Sequence, residues 1–274
     1  MKKIVKLIGE KSSDGPISVI MAGIHGNEIC GMQAFKEVLP NLKIDYGLVH
    51  FVLGNPKAIQ KKVRFLDLNL NRMFKSVENY STEEKKTYEF RKAQELKKIL
   101  QNAGALLDIH SSNSESSQPF IIAERNADLI VKNLPVKTIV NGFDIVEPGG
   151  TDSYMNSIGK VGICIECGST SSPDSIEIAK TAINNFLITV GHTAKYEKIN
   201  LVKQERIQMF ELYHTQTDKF VLAKNFADFE LVKKSTIIGK DGDNFVRAWE
   251  DSIILFARNR VQAGSEGFLL GRRI

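Results

Sequence analysis

Two rhythms of apolar and polar positions alternate between Ile17 and Val190. The runs Ile17 to Met21 and Leu48 to Leu53 are short and mostly apolar, the form of a buried strand, and Gly54-Asn55-Pro56 closes the second with a turn. Between them Glu28 to Leu39 has helical spacing, with Ile29, Met32, Phe35, Val38 and Leu39 on one face. Thr82 to Asn102 predicts one long amphipathic helix, capped by Ser81 or Thr82 and followed by Gly104. Ala105 to Ile109 and Gly162 to Ile165 predict two more strands, and Ser175 to Val190 a further helix. Strands alternating with helices predict an α/β fold, a sheet covered by helices on both faces.

Beyond about Ala194 the texture changes. Phe220 to Ala223, Phe229 to Val232, Thr236 to Ile238, Phe245 to Trp249 and Ile253 to Ala257 are short apolar runs separated by Gly, Asp and Asn turns. That spacing predicts a smaller β-rich C-terminal domain. The expected division is 1–195 for the α/β domain and 196–274 for the β-rich one. The chain carries no internal repeat and no low-complexity tract.

Composition narrows the class. The 274 residues, 42% hydrophobic and 25% charged, suit an ordinary globular protein. No apolar stretch approaches the roughly 20 residues that span a bilayer, and Lys6 and Glu10 interrupt any signal-peptide core, so no membrane partner is expected. Three cysteines, Cys30, Cys164 and Cys167, are too few and odd in number for a disulfide framework, which points to a reducing cytoplasm. The net charge of +5 is dispersed. Lys85-Lys86, Arg91-Lys92 and Lys97-Lys98 interleave with Glu83, Glu84, Glu89 and Glu95, the pattern of a solvated helix face rather than a nucleic-acid surface. A modest positive field also suits a small anionic substrate.

Candidate chemistry collects after the strands. His25-Gly26-Asn27-Glu28 follows the first strand and puts an imidazole and a carboxylate three residues apart, two of the three protein ligands a catalytic zinc site uses. His110 ends the strand beginning at Ala105, and Glu166 ends the one beginning at Gly162. Three strands thus deliver residues to the rim where open α/β sheets bind ligands. Asp108 lies two residues before His110 on the same strand face, as a group orienting a ligand or as a plain buried acid. Glu166 follows an apolar run, where a carboxylate is costly unless it is paired or functional. Cys164 and Cys167 frame Glu166 but point to opposite faces of a strand, so they read as small buried hydrophobes rather than a zinc knuckle.

The segments His25 to Glu28, Asp67-Leu68-Asn69-Leu70-Asn71-Arg72, Leu106 to His110 and Ile163 to Glu166, in that order, resemble the aspartoacylase/succinylglutamate desuccinylase family, a deacylase branch of the zinc carboxypeptidase superfamily. The resemblance covers roughly residues 15 to 170. It implies a mixed, carboxypeptidase-like sheet and one Zn2+ per chain held by His25, Glu28 and His110. Glu166 would be the general base and Arg64 the group facing the scissile carbonyl oxygen. Asn71 and Arg72 would clamp the substrate carboxylate. Asn69 stands where the family's motif commonly has an acid. Asn156 stands where aspartoacylases carry an arginine that helps hold a second carboxylate, ten residues before the catalytic glutamate. An amide there implies neutral hydrogen bonds to substrate and a weaker preference for acyl-aspartate. Trp249 lies nearest the segment from which the family contributes a pocket tyrosine.

The expected function is a zinc-dependent deacylase hydrolysing the amide bond of a small, anionic N-acyl amino acid or related carboxylate. A homo-oligomer is compatible with it. Two alternatives stand beside it: a metallocarboxypeptidase, and a catalytically silent, metal-free small-molecule binding module on the same fold.

Overall fold

The computed structural model of the chain describes residues 3–112, 114–115, 117–193 and 199–274. The chain divides into two compact units, Met1–Ile139 with Pro148–Gln204, and Val140–Glu147 with Glu205–Ile274. The division expected at 195/196 lies outside the described residues. The excursion of 140–147 into the second unit has no counterpart in the apolar pattern.

The strands of the first unit are β1 (Ile4–Ile8), β2 (Ser12–Ala22), β3 (Tyr46–Leu53), β4 (Ala105–Ser112) and β5 (Phe120–Ala123); β6 (Thr138–Asn141) leads into the second unit, and β7 (Val161–Ser169) returns to the first. Within the first unit they lie in the order β1-β3-β2-β4-β7-β5. The inner four are parallel, and β1 and β5 add antiparallel edges to them, so the sheet is mixed.

Both faces are covered, which is why the inner strands are apolar nearly throughout. Ile20, Ala22, Leu107, Ile109, Ile163, Ile165 and Cys167 face one core; Val19, Met21 and Leu106 face the other. The helices are α1 (Cys30–Val38), α2 (Pro56–Lys61), α3 (Thr82–Lys85), α4 (Tyr88–Leu100), α5 (Asp128–Val131), α6 (Phe143–Val146, in the second unit), α7 (Thr151–Ser157) and α8 (Pro173–Val190). Phe35 of α1 and Phe186 of α8 fill the first core, Leu96 of α4 and Met155 of α7 the second. No helix among the described residues is long and apolar enough to cross a membrane.

The single helix expected over Thr82 to Asn102 is two helices. Ser81 caps α3 in a capping box with Glu84, and Thr87, in extended conformation, caps α4 by accepting from the Phe90 N–H. Two cap signals six residues apart restart the helix. The charged face expected to be solvated is partly interior: Glu89 is 0% exposed and Lys97 8%. Lys97 survives there because its Nζ donates to the Lys75 carbonyl at 2.7 Å and lies over the Tyr154 ring.

The second unit is built from β8 (Glu205–His214), β9 (Phe220–Leu222), β10 (Glu230–Val232), β11 (Ile237–Asp241), β12 (Asn244–Arg247), β13 (Ser252–Leu255) and β14 (Glu266–Arg273). They pair antiparallel as β8-β14-β13-β10 and β12-β11-β9 around Phe220, Ile238, Ile254 and Phe268.

Candidate active site

His25 and Glu28 sit in the turn between β2 and α1. Gly23 has φ +69° and starts that turn. Gly26 passes so close to α2 that a Cβ would lie 2.2 Å from the Ala58 carbonyl carbon, so only glycine fits. The turn folds Glu28 back over the end of β4, where its carboxylate meets His110. His110 and Glu166 are register partners on β4 and β7, on the same sheet face as Asp108 and Cys164.

Glu28 is the hub. Its Oε1 lies 2.7 Å from His25 Nδ1 and accepts from Arg64 Nη1 at 2.7 Å. Its Oε2 lies 3.0 Å from His110 Nδ1 and accepts from the Ser111 N–H at 3.3 Å. The two imidazoles stand edge to face with centroids 5.2 Å apart. Burial works to raise the Glu28 carboxyl, but the two histidines outweigh it and hold it well below the usual carboxylate range.

Each imidazole also has a side-chain oxygen behind it. His25 Nε2 lies 2.9 Å from Asn69 Oδ1, which also receives the backbone N–H of Asn71 at 3.1 Å. A backbone N–H can only donate, so the atom between them is the amide oxygen and His25 Nε2 carries a proton. Burial lowers the His25 pKa and favours the neutral ring. Its Nδ1 therefore presents a lone pair to the Glu28 carboxylate, and among the described residues this buried atom has no hydrogen-bond partner. Two electron-pair donors at 2.7 Å suit a shared cation. Asp108, fully buried, puts Oδ2 3.2 Å from His110 Nε2 and takes a hydrogen bond from the Thr151 hydroxyl on the same oxygen.

His25, Glu28 and His110 offer three donor atoms within 4.8 Å of one another, all buried. Two nitrogens and a carboxylate are a donor set zinc favours, so these residues fit the metal. His110, Cys164 and Glu166 form a second such group; it shares His110 with the first. Glu166 is partly exposed, and burial raises its carboxyl to about 7, with the charge of Glu28 adding to the rise.

Asn71 Oδ1 accepts from the Thr151 N–H at 3.3 Å, and Arg72 Nη1 donates to the Asn71 carbonyl at 2.9 Å. Asn156 is not brought to this cluster. Its Oδ1 accepts from Gly162 N–H at 3.1 Å and from Asn126 at 2.9 Å, at the opening of β7. Gly162 precedes Glu166 by four residues, roughly 13 Å along a strand. The acceptor oxygen of Asn156 anchors α7 to the strand. Three residues not singled out as site groups do belong here, namely Asn69, Ser111 and Thr151. Of these only Asn69 carried a signal, its place in the Asp67 to Arg72 motif.

Residues 14–190 match the family model of the Succinylglutamate desuccinylase/Aspartoacylase catalytic domain. The chain belongs to this family. Among members, the chain is 26% identical over 168 residues to a probable aspartoacylase of Nostoc sp., covering 56% of this chain and 55% of that one. It is 29% identical over 174 residues to the N-acyl-aromatic-L-amino acid amidohydrolase (carboxylate-forming) A of Danio rerio, covering 54% and 51%. The chain thus spans about half the length of these curated relatives. The desuccinylase/aspartoacylase fold itself runs further: a solved succinylglutamate desuccinylase of Vibrio parahaemolyticus superposes with TM-score 0.81 at 17% identity, over 99% of this chain and 86% of that one.

Proposed function

We propose that this protein is a zinc-dependent deacylase that hydrolyses the amide bond of a small N-acyl amino acid. The observation that carries the reading is the lone pair of His25 Nδ1 aimed at the Glu28 carboxylate beside His110 Nδ1. A metal-free binding module has no use for that arrangement. Zinc bound to His25, Glu28 and His110 would lower the pKa of water and polarise the amide carbonyl.

The rest falls to the side chains. Glu166 takes the proton of the attacking water and returns it to the leaving amine, a role suited to a carboxyl raised to about 7. Arg64 is about half exposed, and its guanidinium donates to the carbonyl oxygen as charge develops there. Asn71 and Arg72 hold the α-carboxylate of the substrate; a guanidinium matches a planar carboxylate in two parallel hydrogen bonds. Acyl-aspartate, acyl-glutamate and acyl-aromatic relatives in one family all keep that carboxylate, so the shared handle supports the substrate class. The three free, buried thiols suit a reducing compartment such as the cytoplasm.

The test is to measure zinc per chain and to assay a panel of N-acetyl and N-succinyl amino acids. One zinc per chain with chelator-sensitive amide hydrolysis is the expected result. A chain that takes up no zinc, or a zinc-loaded one that hydrolyses only C-terminal peptide bonds, would overturn it.

A further inference from the structure

Glu89, on α4, is 0% exposed, and its carboxylate is ringed by donors. Oε1 accepts from the Leu66 N–H at 2.8 Å and from Asn55 Nδ2 at 3.2 Å. Oε2 accepts from the Asp67 N–H at 3.1 Å and the Leu68 N–H at 3.4 Å. Among the described residues all four donors are uncharged. Asn55 is itself fixed, since its Oδ1 caps α2 through the Ala58 N–H. A carboxylate removed from water is costly, and here only oriented N–H groups compensate for it.

Those N–H groups belong to a segment with no regular structure of its own, between the end of α2 at Lys61 and the 3-10 turn at Leu70. Glu89 gives residues 66–68 the acceptors that a neighbouring strand would give. Both ends of the segment touch candidate metal ligands. Arg64, two residues before Leu66, donates to Glu28 Oε1 at 2.7 Å. Asn69, next after Leu68, meets His25 Nε2 at 2.9 Å.

We propose that Glu89 is a positioning residue: it holds residues 64–69 in the one conformation that presents Arg64 to Glu28 and Asn69 to His25. Its activity consequences rest on the deacylase reading, but its structural content does not. An amide at this position can accept on one side only, so Glu89→Gln releases part of the segment, whereas Glu89→Asp keeps both acceptor oxygens.

Two measurements decide it. In the wild-type protein the amides of Leu66, Asp67 and Leu68 should exchange with solvent about a hundredfold or more slowly than free amides. Free exchange there overturns the proposal, and this arm needs neither a variant nor activity. In steady-state kinetics Glu89→Gln should lower kcat about tenfold with KM within about twofold, the signature of a lost transition-state contact, and Glu89→Asp should recover most of the rate. In an Arg64→Ala background the same Glu89→Gln change should cost severalfold less than in the wild type, because one of the two groups it positions is gone. Equal losses in both backgrounds would make Glu89 a merely structural acid. If no substrate is hydrolysed, the proposed function falls, while exchange protection in the wild type and its loss in Glu89→Gln still decide the role of Glu89.

Discussion

Asp108 and His110 meet at 3.2 Å, carboxylate Oδ2 to imidazole Nε2, on the side of the ring turned away from Glu28. They stand two residues apart on β4, so the strand itself supplies the contact, with both side chains on one face. Thr151, the first residue of α7, donates its hydroxyl to the same oxygen and its backbone N–H to Asn71. The start of α7 therefore braces both His110 and the loop that carries Arg72. An acid that takes up the ring N–H of a metal-bound histidine fixes the ring and raises its basicity toward the metal, and Asp108 stands where it would do so.

Replacing Asp108 with Asn should accordingly weaken zinc binding by about 10- to 100-fold, and Thr151→Val should do so by a smaller factor. Competition with a chromophoric chelator measures both. Affinity unchanged in Asp108→Asn would make the acid a packing residue.

His110→Ala removes a proposed ligand without removing a fold element, because the site lies at the end of β4 and the core is built from Leu106, Leu107 and Ile109. The variant should lose zinc, by elemental analysis, while keeping its far-ultraviolet circular dichroism. Full zinc occupancy would contradict the ligand assignment.

Glu166 gives the pH dependence. Its carboxyl is raised to about 7, and only the ionised form accepts a proton. The rate should therefore climb nearly tenfold per pH unit below about 7 and level off above it. Glu166→Gln should lower turnover at least ~100-fold at pH 8 with zinc retained, and should abolish that limb. A variant with near-normal turnover would leave Glu166 a structural acid.

How far the sequence revealed all this depended on whether a residue's role is local. The four central strands and α1 were legible because apolar runs and helical spacing are local signals, and the resemblance brought His25, Glu28 and His110 with them. β8 and β14 were not. Glu205–His214 mixes charged, polar and apolar residues without a continuous apolar run or a strict alternation, so neither strand signal marks it. Glu89 was hidden for the same reason in reverse: a carboxylate among lysines looks solvated, and only the tertiary fold brings three backbone N–H groups onto it. The place of Asn156 is not legible in the sequence, because position relative to Glu166 does not say which end of β7 a residue on α7 reaches.

Asn156 anchors the start of β7 and so bears on stability. Asn156→Ala removes the acceptor of the Gly162 N–H and should cost about 1–3 kcal/mol, the penalty for an unsatisfied polar group that stays covered. Relative kcat/KM for N-acetylaspartate and for N-acetyl derivatives of neutral amino acids should stay within about twofold of the wild type. A shift of about tenfold in that ratio would return the residue to the substrate pocket.

The second unit supplies a test of acid stability independent of the metal. Asp241, at the end of β11, accepts from the Tyr213 hydroxyl at 2.7 Å, the Gln216 N–H at 2.7 Å, the Thr217 N–H at 3.0 Å and the Thr217 hydroxyl at 2.5 Å. Burial works to raise its carboxyl, but these four donors outweigh it, and the pKa is lowered from 3.8. The folded state therefore binds a proton less readily than the unfolded chain. The stabilisation is fully present above 3.8, declines as the pH falls below it, and is gone once the pH has passed the folded-state value. An asparagine can satisfy the donors on only one of its two terminal atoms, so Asp241→Asn should cost about 1–2 kcal/mol at pH 7. The gap between variant and wild type should narrow below about pH 4, as the wild-type carboxylate is protonated. Urea titrations at pH 7 and pH 3, followed through the Trp249 fluorescence of the same unit, read both numbers. A gap that is constant across that pH range would mean that the charge of Asp241 contributes nothing and that shape alone holds the turn.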